Sequence, residues 1–383
     1  MSRALTSCVI LLLTVALAAC AIMPYGSSSG SAAGMVAKDI SMLTPTEGWA
    51  VGNASDGHNS GVMAHDHNGV WRPVGSHITG NPFQPFRIVR MVSATDGWAA
   101  AGAQIYHYDG AVWRPAYTPA SAASSNSAII SDMAMNSPDD GWAVGEYVVL
   151  HYSHGHWQDV TASLPPQPSD YYSSYPGMQA LAVVSPNDVW AFGDNGVIWR
   201  YDGAQWRLQP APSAFVHGGA LYAGCMLSPT EGWAVGGANI PGYRLQGLGY
   251  GDALGSASAV IERYHDGAWQ VAQTFERPFI PAPGAPVFAA LAMTTSGDAA
   301  EGWIGGAWVR GHLIGSGDAL PSSEFFTHTL LLRYHAGQWT FVSAPDVGLI
   351  RRIVMLSPTE GWAAGERGLL HYSSGKWQVV SLA

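Results

Sequence analysis

Lysine is almost missing from this sequence: Lys38 and Lys376 are the only two in 383 residues. Charged side chains of all kinds make up 11% of the chain, against about 25% in ordinary soluble proteins. With a formal net charge of −10 and no basic stripe, a phosphate backbone has nothing to hold, so no nucleic-acid partner is expected. Cysteine is scarce as well. Cys8 and Cys20 fall in the leader region, leaving Cys225 alone in an apolar strand pattern. One thiol closes no internal disulfide, so packing must hold the fold, and Cys225 reads as a small buried hydrophobe. No metal or cofactor site can be built on it, and none is expected. Disorder is excluded by the 48% hydrophobic content.

The first residues set the compartment. Arg3 is the only charge before an apolar run from Cys8 to Ala19. That run is shorter than the roughly 20 residues a membrane span needs and reads as a secretory signal peptide. Leu17-Ala18-Ala19-Cys20 resembles the bacterial lipobox, which implies a lipid on Cys20 after cleavage; an ordinary small-residue cleavage site is the alternative. The expected organisation is a signal peptide over 1–19, the lipidated Cys20 with a flexible tether to 34, and a folded domain over 35–383. The protein is then exported and anchored to the cell membrane, on its extracellular or periplasmic face.

What is abundant is tryptophan in a repeat. The motif S-P-x-E/D-G-W-A-x-G places Trp49, Trp98, Trp142, Trp190, Trp233, Trp303 and Trp362. A second series follows them: Trp71, Trp113, Trp157, Trp206, Trp269, Trp339 and Trp377. Only Trp199 and Trp308 of the 16 tryptophans fall outside the two series. Between turn residues each copy holds four apolar runs of strand length, named A to D here. Asp109-Gly110, Asp202-Gly203 and Asp266-Gly267 mark tight C–D turns. Units of about 45 residues that cannot bury both faces alone stack radially, so the fold class is all-β, a seven-bladed β-propeller with four antiparallel strands per blade. Counting back from the A–B turn gives a packing ring of Met42, Met91, Met135, Val183, Met226, Ala292 and Met355. Each blade contains its own four strands, so ring closure is expected to rest on side-chain packing between blades one and seven.

Val235-Gly236-Gly237, Tyr264 and Trp269 resemble a kelch repeat, and the Gly-Trp-Ala-Val-Gly core resembles photosystem II assembly factor-like and sialidase-like (BNR) propellers. The resemblance covers the whole domain and implies the propeller fold. Asp-box spacing is not kept and the Tyr–Trp gap is short for kelch, so no catalytic residue is carried over.

Function is expected where the repeat breaks. The A–B and C–D turns are short throughout, while all length variation falls on the face of the D–A and B–C connections. Blade five carries an insertion over 238–258 and blade six another over 310–326, both containing Gly-Asp-Ala-Leu. Candidate ligand-binding residues are Tyr171, Tyr172, Tyr175, Phe83 and Phe86 on long D–A loops, and Tyr250, Asp252, Asp318, Phe325 and Phe326 on the insertions. Arg90 and Arg352 join them at the mouth of strand A, among Asp39, Arg87, Asp132 and Arg351. That mixed set can hold an acidic ligand or pair with itself. The recurrent acids Glu47, Asp96, Asp140, Glu231, Glu301 and Glu360 read as caps of turn amides, and the strand C histidines as periodic scaffold. His58, His65 and His67 lack a third metal ligand. The leading expectation is a monomeric binding or scaffolding lipoprotein for a protein or glycan. An exported carbohydrate-active hydrolase or lyase, and an assembly factor for a membrane complex, are the alternatives.

Overall fold

The computed structural model describes residues 35–55, 60–75, 78–79, 84–120, 129–164, 177–212, 219–238, 259–275, 285–296, 299–314 and 322–380. These form 28 strands in seven four-stranded antiparallel sheets, each with its strands in chain order. Blade one is β1 (Met35–Thr44), β2 (Glu47–Ala54), β3 (Gly61–His67) and β4 (Val70–Pro73). The inner strands of blades two to seven are β5 (Phe86–Ser93), β9 (Ile130–Ser137), β13 (Met178–Ser185), β17 (Gly219–Ser228), β21 (Ala285–Ser296) and β25 (Ile350–Ser357). The all-β propeller read from the repeat is therefore what the chain forms. Among the described residues no strand passes between the first and last blades: β1 packs against β25 by side chains.

One stack explains the tryptophan repeat. Trp49 on β2 lies flat on His65 of its own blade, 4.2 Å between centroids, and meets Tyr108 (4.9 Å) and Trp113 (5.3 Å) of the next blade. The same trio recurs at Trp98, Trp142, Trp190, Trp233 and Trp303, with Arg200, Arg263 and Arg333 replacing the histidine in blades four to six. Such aromatic pairs contribute about 0.5–1.5 kcal/mol each beyond the area they bury. The seventh seam departs from the pattern. Between Trp362 and Trp71 the tyrosine position holds Asp66, fully buried, with no side-chain partner among the described residues and the Gly69 amide acting on its carboxyl.

The recurrent acids hold this stack and do not cap turns. His65 and His67 both bond Glu47 (2.6 and 2.9 Å), His107 bonds Asp96, His151 bonds Asp140, and Arg263 and His265 share Glu231. Asp188 does the same for Arg200, a blade-four member that the motif's Gly-Trp core hides. Turn amides are capped three residues earlier, by the hydroxyls of Thr44, Ser93, Ser137, Ser185, Ser228 and Ser357. Among the Asp-Gly pairs only Asp266-Gly267 forms a two-residue turn with both φ positive. Asp109 and Asp202 instead accept two amides and an arginine across a longer turn.

The methionine ring exists with one correction. Met293, not Ala292, faces Gly302 in blade six, because that A–B turn lacks the bulge found in the others. Each methionine sulfur lies where a Cβ on the Gly-Trp glycine would be, 2.1 Å away at Gly302 and 2.4 Å at Gly97. Blade four swaps both partners at once, pairing Val183 with Val189. The blade-six insertion is also more ordered than a loop. β22 (Ala299–Ile314) and β23 (Ser322–His335) stay paired out to Ile314 and Ser322, so most of 310–326 is a hairpin.

Candidate functional site

Every inner strand carries a bulge near its start, at the end of the molecule where the D–A connections enter. The ladder with the second strand skips one residue in all seven blades: after Ala37, Phe86, Ile130, Met178, Leu221, Phe288 and Ile350. A bulged residue has no ladder partner, and its side chain is re-aimed. The seven are Lys38, Arg87, Ser131, Gln179, Tyr222, Ala289 and Arg351, and all line one axial cavity of about 150 Å³. Each stands four residues ahead of the methionine-ring position of its blade. They form a collar in three arcs. Blades seven, one and two bring Arg351, Lys38 and Arg87; blades three and four bring Ser131 and Gln179; blades five and six bring Tyr222 and Ala289.

The cationic arc crowds its own charges. Burial, then Arg351 and Arg87, push the Lys38 ammonium down to about 8. Burial and Arg351 push Arg87 down to about 10. Arg351 is held by Glu366 at 3.1 Å, whereas no ion pair or hydrogen bond engages Lys38 or Arg87 among the described residues. The guanidinium Nε atoms of Arg351 and Arg352 are buried without a hydrogen-bond partner. A buried donor left unmade is costly, so the arrangement favours an anion at this level.

One level below, Arg90 is fully engaged. Arg90 donates through Nη1 to Asp39 and the Val89 carbonyl, through Nη2 to Asp132, and through Nε to the Met133 carbonyl. Asp39 also accepts the Val89 amide of blade two, and Asp132 the Leu181 amide of blade four, at 2.9 Å each. The trio stitches the inner strands of blades one to four. Burial alone would lower the Arg90 guanidinium, but the two carboxylates hold it up. Arg90 is thus a strut of the wall, and Arg352 stands beside Asp39 at 3.6 Å.

The remaining expected residues separate. Phe86 is fully buried at the head of β5 and meets Tyr106 edge-on at 5.1 Å, inside the seam between blades. Phe325 and Phe326 take strand positions opposite Gly311 and Arg310. Cys20, Phe83, Tyr171, Tyr172, Tyr175, Tyr250, Asp252 and Asp318 lie outside the described residues. Lys38, Gln179 and Tyr222 escape a reading by strict alternation, because the bulge turns them inward; their shared four-residue offset from the methionine ring is the signal that finds them.

No protein-family model matches the chain, and no curated protein matches it. Solved structures do. YCF48 bound to D1 peptide is similar with a TM-score of 0.54 at 15% identity, covering 89% of this chain and 93% of that one. YCF48 from Cyanidioschyzon merolae gives 0.53 at 11%, covering 89% and 96%. The WD40 repeats of RRP9 give 0.54 at 10%, covering 87% and 88%. At these identities the likeness is one of fold, a propeller over nearly the whole length of each chain.

Proposed function

We propose that this chain is an exported scaffold, tethered to a membrane by a lipid on Cys20, which holds a protein partner on its loop-bearing face through an acidic group of that partner. The observation that carries the reading is the cationic arc of the collar, where Lys38 and Arg87, with Glu366 and Glu146 in their surroundings, form no ion pair among the described residues of a net-negative protein. Charge of one sign in a low-dielectric mouth draws the opposite sign and orients it. The blade-six hairpin extends the second and third strands on the same face. YCF48, similar in fold, is recorded with a bound D1 peptide, so a propeller of this shape can hold a peptide.

A peptide array tests the binding half. Retained peptides should be enriched in Asp and Glu, and the K38A/R87A protein should lose them. Equal retention of basic and acidic peptides would sink the reading. For the anchor, labelled fatty acid should enter the wild-type protein and not Cys20→Ala, which should appear in the soluble fraction. An unlabelled wild type would leave the tether without support.

A further inference from the structure

Below the collar the axis continues as a second cavity of about 250 Å³, walled by the inner strands of blades four to seven. Leu181, Val183, Met226, Met293 and Ile353 line it, and Arg352 is its single charged neighbour among the described residues. Gly224, Leu291 and Arg352 border both cavities. The two are successive levels of one shaft, with cations around the upper level and apolar side chains beside strand backbone around the lower. Tyr222 and Ala289 continue the apolar wall upward through the collar on the side facing the cationic arc. The apolar side chains at this level offer contact to a hydrocarbon chain.

We infer that the shaft binds a single-headed organic anion with a linear apolar tail, a medium-chain carboxylate. Its head sits among Lys38, Arg87 and Arg351, where the orphaned Nε donor of Arg351 is available, and its tail runs past Leu291 into the lower bore. The tail is linear because it follows the axis from one level to the next. This inference rests on the collar being the anion-binding end, and adds the bore as the determinant of what the anion carries.

Titration calorimetry of the purified full chain tests it with four probes of defined chemistry. Decanoate, with six more methylenes, should bind at least about 30-fold more tightly than butyrate, the gain from withdrawing only two or three of them from water. Decylamine, with the same tail and the opposite charge, should not compete. In the K38A/R87A protein, decanoate binding should weaken by about tenfold or more. A readout on the unaltered protein guards against misfolding of that variant. Cys225 lines the bore, its thiol pushed up by burial, and its alkylation at alkaline pH should slow with decanoate and not with butyrate. Equal affinity for butyrate and decanoate would remove the bore from the site and leave the collar standing. No binding of either acid would remove both. Tighter binding of N-acetylleucine than of decanoate would replace the straight-chain acid with the end of a peptide. Binding of decylamine as tight as that of decanoate would overturn the assignment of the head group.

Discussion

Blades seven, one and two are cut from the same repeat as blades five and six, yet the two groups treat the axis in opposite ways. At the bulge the first group presents Arg351, Lys38 and Arg87, and the second Tyr222 and Ala289. One residue further on, Arg352 and Asp39 face Ala223 and Ala290. Meanwhile blade six lengthens its second and third strands into a projecting hairpin, while blades two and seven turn within two residues. The collar part of that difference lies at positions the ladder does not use. A bulged residue forms no cross-strand pair, so its identity can change without cost to the sheet. The tryptophan stacks and the glycine–methionine contacts, which the sheet does use, hardly vary between the groups.

Removing the strut behind the cationic arc should give the largest effect. Arg90→Ala leaves Asp39 and Asp132 buried without their shared cation, and stability should drop by about 3–5 kcal/mol in denaturant unfolding. A loss below about 1 kcal/mol would mean that the amides of Val89 and Leu181 suffice for the carboxylates.

The apolar side carries its own anomaly. Glu262, on the third strand of blade five, is fully buried with both oxygens unpartnered, where the same position holds Ala64, Tyr106, Leu150, Trp199, Leu332 and Leu370 elsewhere. Burial pushes its carboxyl up to about 8. Because the folded form keeps its proton where the unfolded form has lost it, stability falls as pH rises from the ordinary carboxylate range to about 8, then levels. Glu262→Leu should abolish that slope and stabilise by about 2–4 kcal/mol at pH 9. A parallel pH profile in the variant would show that another group sets the slope.

A smaller gain is expected on the cationic side. Asp66→Tyr restores the aromatic trio at the seam of blades seven and one, worth about 1–2 kcal/mol as a rise in melting temperature. A fall would show that this seam has closed around the smaller residue. The smallest effect concerns charge alone. Lys38, facing Arg87, Arg351 and Glu366, is charged below about 8, so anion affinity should weaken a few-fold from pH 7 to pH 9. Lys38→Arg should flatten that decline, and an unchanged decline would take Lys38 out of the head-group site.

Much of this was legible in the chain. Tryptophan spacing gives the blades, and the short Ser-Pro turns give the closed face. The methionine ring is readable to within one residue, failing at Met293 only because one turn lacks its bulge. The acids mislead, because a carboxylate beside a turn looks like a cap until the third strand brings a histidine or arginine opposite it. The collar was half visible. Arg87 and Arg351 stand out as charges, but Gln179 and Tyr222 look like outward strand residues until the extra residue in the ladder turns them to the axis.

The ring closes without a shared strand, each blade being woven from one uninterrupted stretch of chain. A clasp strand would make one junction mechanically special and fix where the ring begins. Among the described residues no junction shares a strand, the seventh differing only in the side chains that fill it, so the order of the blades is cyclic in topology. Opening the chain between blades three and four and joining its ends should yield the same ring, and whole blades are the natural units by which such a molecule can be rewritten.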